Sequence, residues 1–174
     1  MRSLGQQNDR RVPQFGPRPT ATGARRCRWP GSGGLGLLLA TDADGALLLL
    51  RRTDNDLWTI PTGGIKTGET VAECGVRECR EETGLEIEIT GLVGIFSDPG
   101  HVIAYMHGDK IDEVRQPINV CLRGHVTGGK IQPNPRESRE VRWVDAGQLD
   151  DYAIHPALRR RIDWGLHHQD PHVG

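Results

Sequence analysis

Apolar residues run almost unbroken through positions 33–40 (GGLGLLLA) and 46–52 (ALLLLRR), with the turn-forming stretch 42–45 between them. Short apolar runs bounded by turn residues predict two strands, and their continuity predicts a sheet covered on both faces. Trp58, Ile60 and Pro61 then lead into Gly63 and Gly64, a turn where the backbone can approach another element closely. Beyond it the period changes to that of a helix. Thr70 followed by Glu73 is a capping-box pattern, and Gly84 supplies a left-handed stop, so the spacing predicts a helix of roughly three and a half turns. Ala72, Gly75, Val76 and Cys79 form a small apolar stripe on it. Glu78, Glu81 and Glu82 fall within about 100° of one another on the adjoining edge.

After this helix the pattern predicts strands at 85–89 and 92–96, a turn at 97–100 and a strand at 101–106. Residues 107–116 are polar and charged, and read as a surface loop near the ligand. A further strand is predicted at 117–126, turned by Gly128 and Gly129, and a short one at 141–144. Asp145 would cap a helix through Leu149, and Pro156 begins a last helix carrying Ala157, Leu158, Ile162 and Leu166. Interspersed strands and helices without internal repeats predict an α/β fold with a mixed β-sheet between helices. Residues 31–168 are expected to form that domain, and 169–174 a polar tail. Residues 1–30 carry Pro13, Pro17, Pro19 and Pro30 and no period that could bury a face, so a disordered extension is expected there.

A chain of 174 residues is long enough for one real core. Its near-balanced charge hides an asymmetry. Residues 1–30 hold seven arginines against one acid, Asp9, a net of +6 that leaves −7 to the remainder. The basic leader has no aromatic interleaving, so nucleic acid is not the expected partner. Cysteines at 27, 74, 79 and 121 show no Cys-x-x-Cys pair and no disulfide-dense spacing, which favours a reducing cytoplasm. No stretch is long and apolar enough for a membrane span, and no signal sequence opens the chain. Trp58 is expected in the core. His155, His167, His168 and His172 lie in unpatterned polar surroundings and are not expected to bind metal.

Taken alone, the glutamate cluster reads first as a solvated helix face, with Arg77 pairing to Glu73 and Glu81 at four-residue spacing. Its frame argues otherwise. Gly63, Glu69, Arg77, Glu78, Glu81, Glu82 and Gly84, followed by Leu85, stand at the spacing of the Nudix box, and the stretch 63–85 closely resembles it. All seven fixed residues match, which by chance in a chain this long is on the order of one in a million. Cys79 stands where the family usually has an aliphatic residue, and a buried cysteine serves as a small hydrophobe.

The resemblance implies an α/β/α sandwich and a hydrolase that cleaves a diphosphate linkage in a nucleoside diphosphate derivative. Nucleoside triphosphates, ADP-ribose and nucleotide sugars are all used within the family. It implies Glu78, Glu81 and Glu82 as metal-binding positions, for Mg2+ with Mn2+ as the alternative, and oxygen-only ligands do suit such hard cations. The proton acceptor varies in the family between a box glutamate and an acid on a later loop. Glu78, Glu81 and Glu137 are therefore the catalytic candidates, Glu137 also as an extra metal ligand; Glu113 and Glu140 are weaker. Gly63, Gly64, Glu69, Arg77 and Gly84 are implied as structural support, with Glu69 and Arg77 paired. The expected partner is a small nucleotide, and homodimers are common in the family. The alternative is a catalytically inactive Nudix-type module that binds or senses nucleotides, against which the complete set of glutamates speaks.

Overall fold

The computed structural model describes residues 34–174, without the side chains of Tyr105, Met106 and Glu113. The expectation for residues 1–30, Cys27 and the candidate acid Glu113 lie outside the described part. In chain order the elements are β1 (Gly34–Thr41), β2 (Leu47–Arg52), β3 (Trp58–Thr59), β4 (Thr62–Gly64), α1 (Val71–Thr83) and β5 (Leu85–Phe96). There follow β6 (Ile103–His107), β7 (Lys110–Arg115), β8 (Ile118–Gly129), β9 (Ser138–Val144), a 3-10 turn (Ala146–Asp151), α2 (Pro156–His167) and β10 (His172–Val173). Eight of the strands form one sheet in the order β10-β5-β8-β1-β2-β3, with β4 beside β1 and β9 beside β2. The sheet is mixed, because β1 runs parallel to β8 and β10 parallel to β5 while the other pairs are antiparallel.

The continuous leucine runs are explained by helices on both faces. Side chains alternate across a strand. Leu37, Leu39, Leu47 and Leu49 pack with Leu158 and Ile162 of α2, while Leu38, Ala40, Leu48 and Leu50 pack with Cys79 of α1. Every one of these strand residues is buried. Glycines let both helices come close: a Cβ on Gly75 would touch Leu122, and one on Gly165 would press on Leu39 and Val93. Trp58 is buried in the α2-side core, edge-on to Tyr152. The fold is the expected α/β sandwich, and among the described residues no helix is long and apolar enough to cross a membrane.

Helix α1 starts and stops where the sequence predicts. Thr70 Oγ1 accepts the Glu73 N–H, the Glu73 carboxylate accepts the Thr70 N–H at 2.7 Å, and Gly84 ends the helix at φ 77°. Its packed face differs from the predicted stripe. Cys74, Gly75 and Cys79 are buried, and so are Glu78 and Glu82, whereas Ala72 is exposed and Val76 half-buried. The Arg77–Glu73 pair does not form, because Glu73 is committed to the cap.

Several other expectations are corrected. Residues 85–96 form a single strand, whose register shifts around Gly91 join the two segments predicted at 85–89 and 92–96. Residues 107–116 are not a loop: β7 pairs antiparallel with β6 around Gly108 at φ 61°. A backbone ladder outside the main sheet needs no buried face, and Ile111 is 56% exposed there. The element after Asp145 is a 3-10 turn, and the Asp145 side chain makes no capping bond. Strand β8 continues through Gly128 and Gly129. In the polar tail, His172 and Val173 add a strand to β5, and the His172 ring stacks on Phe96 at 4.6 Å.

Candidate active site

Three elements converge along one side of α1, from its middle to its last turn. Strand β4 pairs with β1 through Leu35–Gly64, Gly36–Gly63 and Leu37–Thr62, which lays the glycine turn against the helix. A Cβ on Gly63 would lie 2.0 Å from the carboxyl carbon of Glu78, so only glycine leaves room for that carboxylate. Next to it the Thr62 N–H donates to Glu82 Oε2 at 3.0 Å. The segment before β9 docks on the last turn of α1: Gln132 N–H donates to Thr83 O at 2.8 Å, and Ser138 Oγ to Glu82 O at 2.8 Å. Thr53 N–H holds the carbonyl of Glu137 at 3.1 Å. Glu137 is thereby delivered to the helix from fifty-odd residues further along the chain.

The result is a carboxylate cluster. Glu78, Glu82 and Glu137 each offer an oxygen, and these oxygens lie within 4.8 Å of one another. Glu78 and Glu82 are only 9% and 4% exposed, while Glu137 is exposed. Glu81 lies outside this cluster. Its side chain is 48% exposed and pairs with Arg77 at 3.1 Å and Lys66 at 3.6 Å. Four-residue spacing places Glu78 and Glu82 one above the other, whereas position 81 turns toward solvent.

Arg77 ties the turn to the helix. Its Nε and Nη2 donate to the two oxygens of Glu69 at 2.6 and 2.9 Å, Nη2 also to Gly64 O at 3.1 Å, and Nη1 to Glu78 Oε1 at 2.6 Å. This two-pronged bond is the strong form of the guanidinium–carboxylate contact. It holds the Glu69 carboxyl down at about 2. The Lys66 N–H donates to the same carboxylate at 2.8 Å, closing the loop 65–69.

The acids of the cluster move the other way. Burial, reinforced by the charges of Glu78 and Glu137, pushes Glu82 up to about 8 against the opposing Thr62 N–H. Burial likewise raises Glu78, with Arg77 opposing and Glu81 and Glu137 adding to the rise. Carboxylates gathered so closely repel, and in a low-dielectric setting the charged forms need a cation. All-oxygen donors of this density fit a hard divalent ion. Glu78, Glu82 and Glu137 are the residues that would hold it. Cys74 and Cys79 are no nucleophiles, since burial pushes each thiol up to about 11.

Of the residues singled out in the sequence, Gly63, Gly64, Glu69, Arg77, Glu78, Glu82 and Glu137 thus meet at one place, and Gly84 positions the loop after α1. The Thr62 amide, Lys66 and Ser138 are additions that sequence patterns did not flag, because a backbone donor or a loop tether carries no residue-type signal. Glu140 pairs with Arg142 instead. His155 accepts the Ala157 N–H as the cap of α2, and His168 stacks on Trp164.

The chain belongs to the Nudix family: the model of the NUDIX domain matches residues 34–165. An RNA pyrophosphohydrolase of Sphingopyxis alaskensis is 30% identical over 140 residues, covering 75% of this chain and 87% of that protein. An ADP-ribose pyrophosphatase of Methanocaldococcus jannaschii is 39% identical over 121 residues, 65% of this chain and 62% of that one. Among solved structures, an ADP-ribose pyrophosphatase from Streptococcus suis superposes with a TM-score of 0.60 at 21% identity, over 79% of this chain and 96% of that one, a likeness of fold.

Proposed function

We propose that the protein is a Mg2+-dependent pyrophosphohydrolase that cleaves the diphosphate linkage of a nucleoside diphosphate derivative. The observation that carries this reading is the convergence of Glu78, Glu82 and Glu137 on one oxygen-only site. A divalent cation bound there would neutralise charge developing on phosphate oxygens and acidify a water. The chain itself supplies the rest. Glu78 is wedged over Gly63 and anchored by Arg77, and Glu82 by the Thr62 amide, so both are fixed as ligands. Glu137 is the exposed member and is positioned to take the proton of the attacking water. That water's oxygen bonds to phosphorus as the anhydride P–O bond breaks, and the departing phosphate keeps the bonding pair. Glu81, on the solvent side and half committed to Arg77 and Lys66, is the second candidate for the proton acceptor.

The named relatives and the family's range define the substrates to try: RNA bearing a 5′-triphosphate, ADP-ribose, nucleoside triphosphates and nucleotide sugars. With Mg2+, product identification by mass spectrometry should show cleavage of at least one of them. Glu82→Gln should abolish turnover. Removal of the general base costs roughly 10²- to 10⁴-fold in kcat, and this loss should follow Glu137→Gln with Glu81→Gln milder. Absence of hydrolysis across the panel with nucleotide binding retained would instead mark a binding module.

A further inference from the structure

Glu137 differs from the other two carboxylates of the cluster in how it is held. The Arg77 guanidinium binds the Glu78 carboxylate, and the Thr62 N–H binds that of Glu82. The Glu137 carboxylate makes no hydrogen bond or ion pair among the described residues, so nothing grips its acid group directly. Its place is set through the main chain. On one side lies α1, whose last carbonyls have no partner within the helix. The segment leading into β9 takes them up: the Gln132 N–H donates to Thr83 O at 2.8 Å, the Asn134 N–H to Glu82 O at 3.3 Å and the Ser138 hydroxyl to Glu82 O at 2.8 Å. On the other side lies the turn after β2. The Thr53 N–H donates to Glu137 O at 3.1 Å, and the Thr53 hydroxyl to Arg136 O at 3.0 Å. The Glu137 N–H is bonded within its own segment, to Asn134 O at 2.9 Å.

Most of these contacts use backbone groups that any residue would supply. Two use side chains, the Ser138 and Thr53 hydroxyls, and they flank Glu137 from opposite sides. Ser138 is fully buried. A hydroxyl carries one proton, and at 2.8 Å from the Glu82 carbonyl this one ties the residue next to Glu137 to a residue whose own carboxylate belongs to the cluster. An exposed glutamate with no partner on its acid group stays in place only if its main chain does, and a misplacement of about 1 Å is enough to spoil a ligand or a proton acceptor. We propose that Ser138 and Thr53 are positioning residues, which clamp the Glu137 main chain between α1 and the turn after β2 and so bring its carboxylate to Glu78 and Glu82. This role rests on reading the cluster as a divalent-cation site.

The test follows Mn2+ binding to the full chain through the electron paramagnetic resonance of the free ion. Ser138→Ala and Thr53→Val should each weaken binding about tenfold, the usual cost of losing a group that orients a ligand, while Thr53→Ser, which keeps the hydroxyl, should bind like the wild type. In a Glu137→Gln background neither Ser138→Ala nor Thr53→Val should weaken binding further, because each acts through that carboxylate. A merely structural role would lower the affinity by the same factor in both backgrounds, and that result overturns the proposal. Unchanged affinity in either variant overturns it as well. Thr53 is only half-buried, so Thr53→Val decides should Ser138→Ala fail to fold. Failure of the underlying reading looks different: the wild type then binds no Mn2+, and the clamp falls with the site it serves.

Discussion

Gly63 carries more of the site than its lack of a side chain suggests. A methyl group there would fall on the Glu78 carboxylate, and the flexible tip of the glutamate, rather than backbone, would have to give way. Gly63→Ala should therefore keep its fold, checked by circular dichroism, while kcat/KM falls about 10²-fold, as expected for a misplacement of the order of 1 Å. Glu82 makes a second prediction. Its folded value of about 8 exceeds the ordinary 4.5, so its contribution to stability is fully present below 4.5 and is lost as pH rises through 8. Calorimetric melting of metal-free protein should show a Tm that declines across that window, and Glu82→Gln should flatten the decline. Saturating Mg2+ should flatten it too, with measurable proton release on binding. A Tm independent of pH in the metal-free protein would contradict the assignment.

Among the elements, α1 is the one whose ends are written most locally. The Thr70–Glu73 box satisfies backbone donors from within four residues, so Thr70→Ala should cost about 1 kcal/mol in chemical denaturation. The effect on hydrolysis should be small, because the site lies along the helix and beyond its far end. Capping residues and four-residue spacing are short-range signals, which is why the helix and the shared face of Glu78 and Glu82 are legible in the chain. Burial is not a short-range property. Ala72 and Val76 look like packing residues in the sequence, yet the glycine turn and the docked segment before β9 cover the Glu78 and Glu82 side of the helix. Strands β6 and β7 escape the pattern for a related reason: their pairing uses backbone groups that every residue has.

The described residues form a sheet closed by helices on two faces, with its last strand supplied by residues 172–173. Deleting 169–174 removes the β10–β5 pairing and the stacking of His172 on Phe96 and against Trp164. Tm should fall by about 2–4 °C for each kcal/mol lost, while hydrolysis at the opposite face persists. The amino-acid sequence by itself determined the two-sided core, through leucine runs whose alternate members face α1 and α2. It also determined the capped helix and the glycine turn, since residue type and close spacing encode each of them, whereas the Arg77–Glu69 clasp followed from the resemblance to the Nudix box and not from spacing, which pointed Arg77 to Glu73. Only the tertiary structure decided that Glu137 joins Glu78 and Glu82 while Glu81 turns outward, and that the polar tail is a strand. Those outcomes depend on contacts between residues far apart in the chain, whose distances are set by sheet register and helix docking rather than by any local pattern.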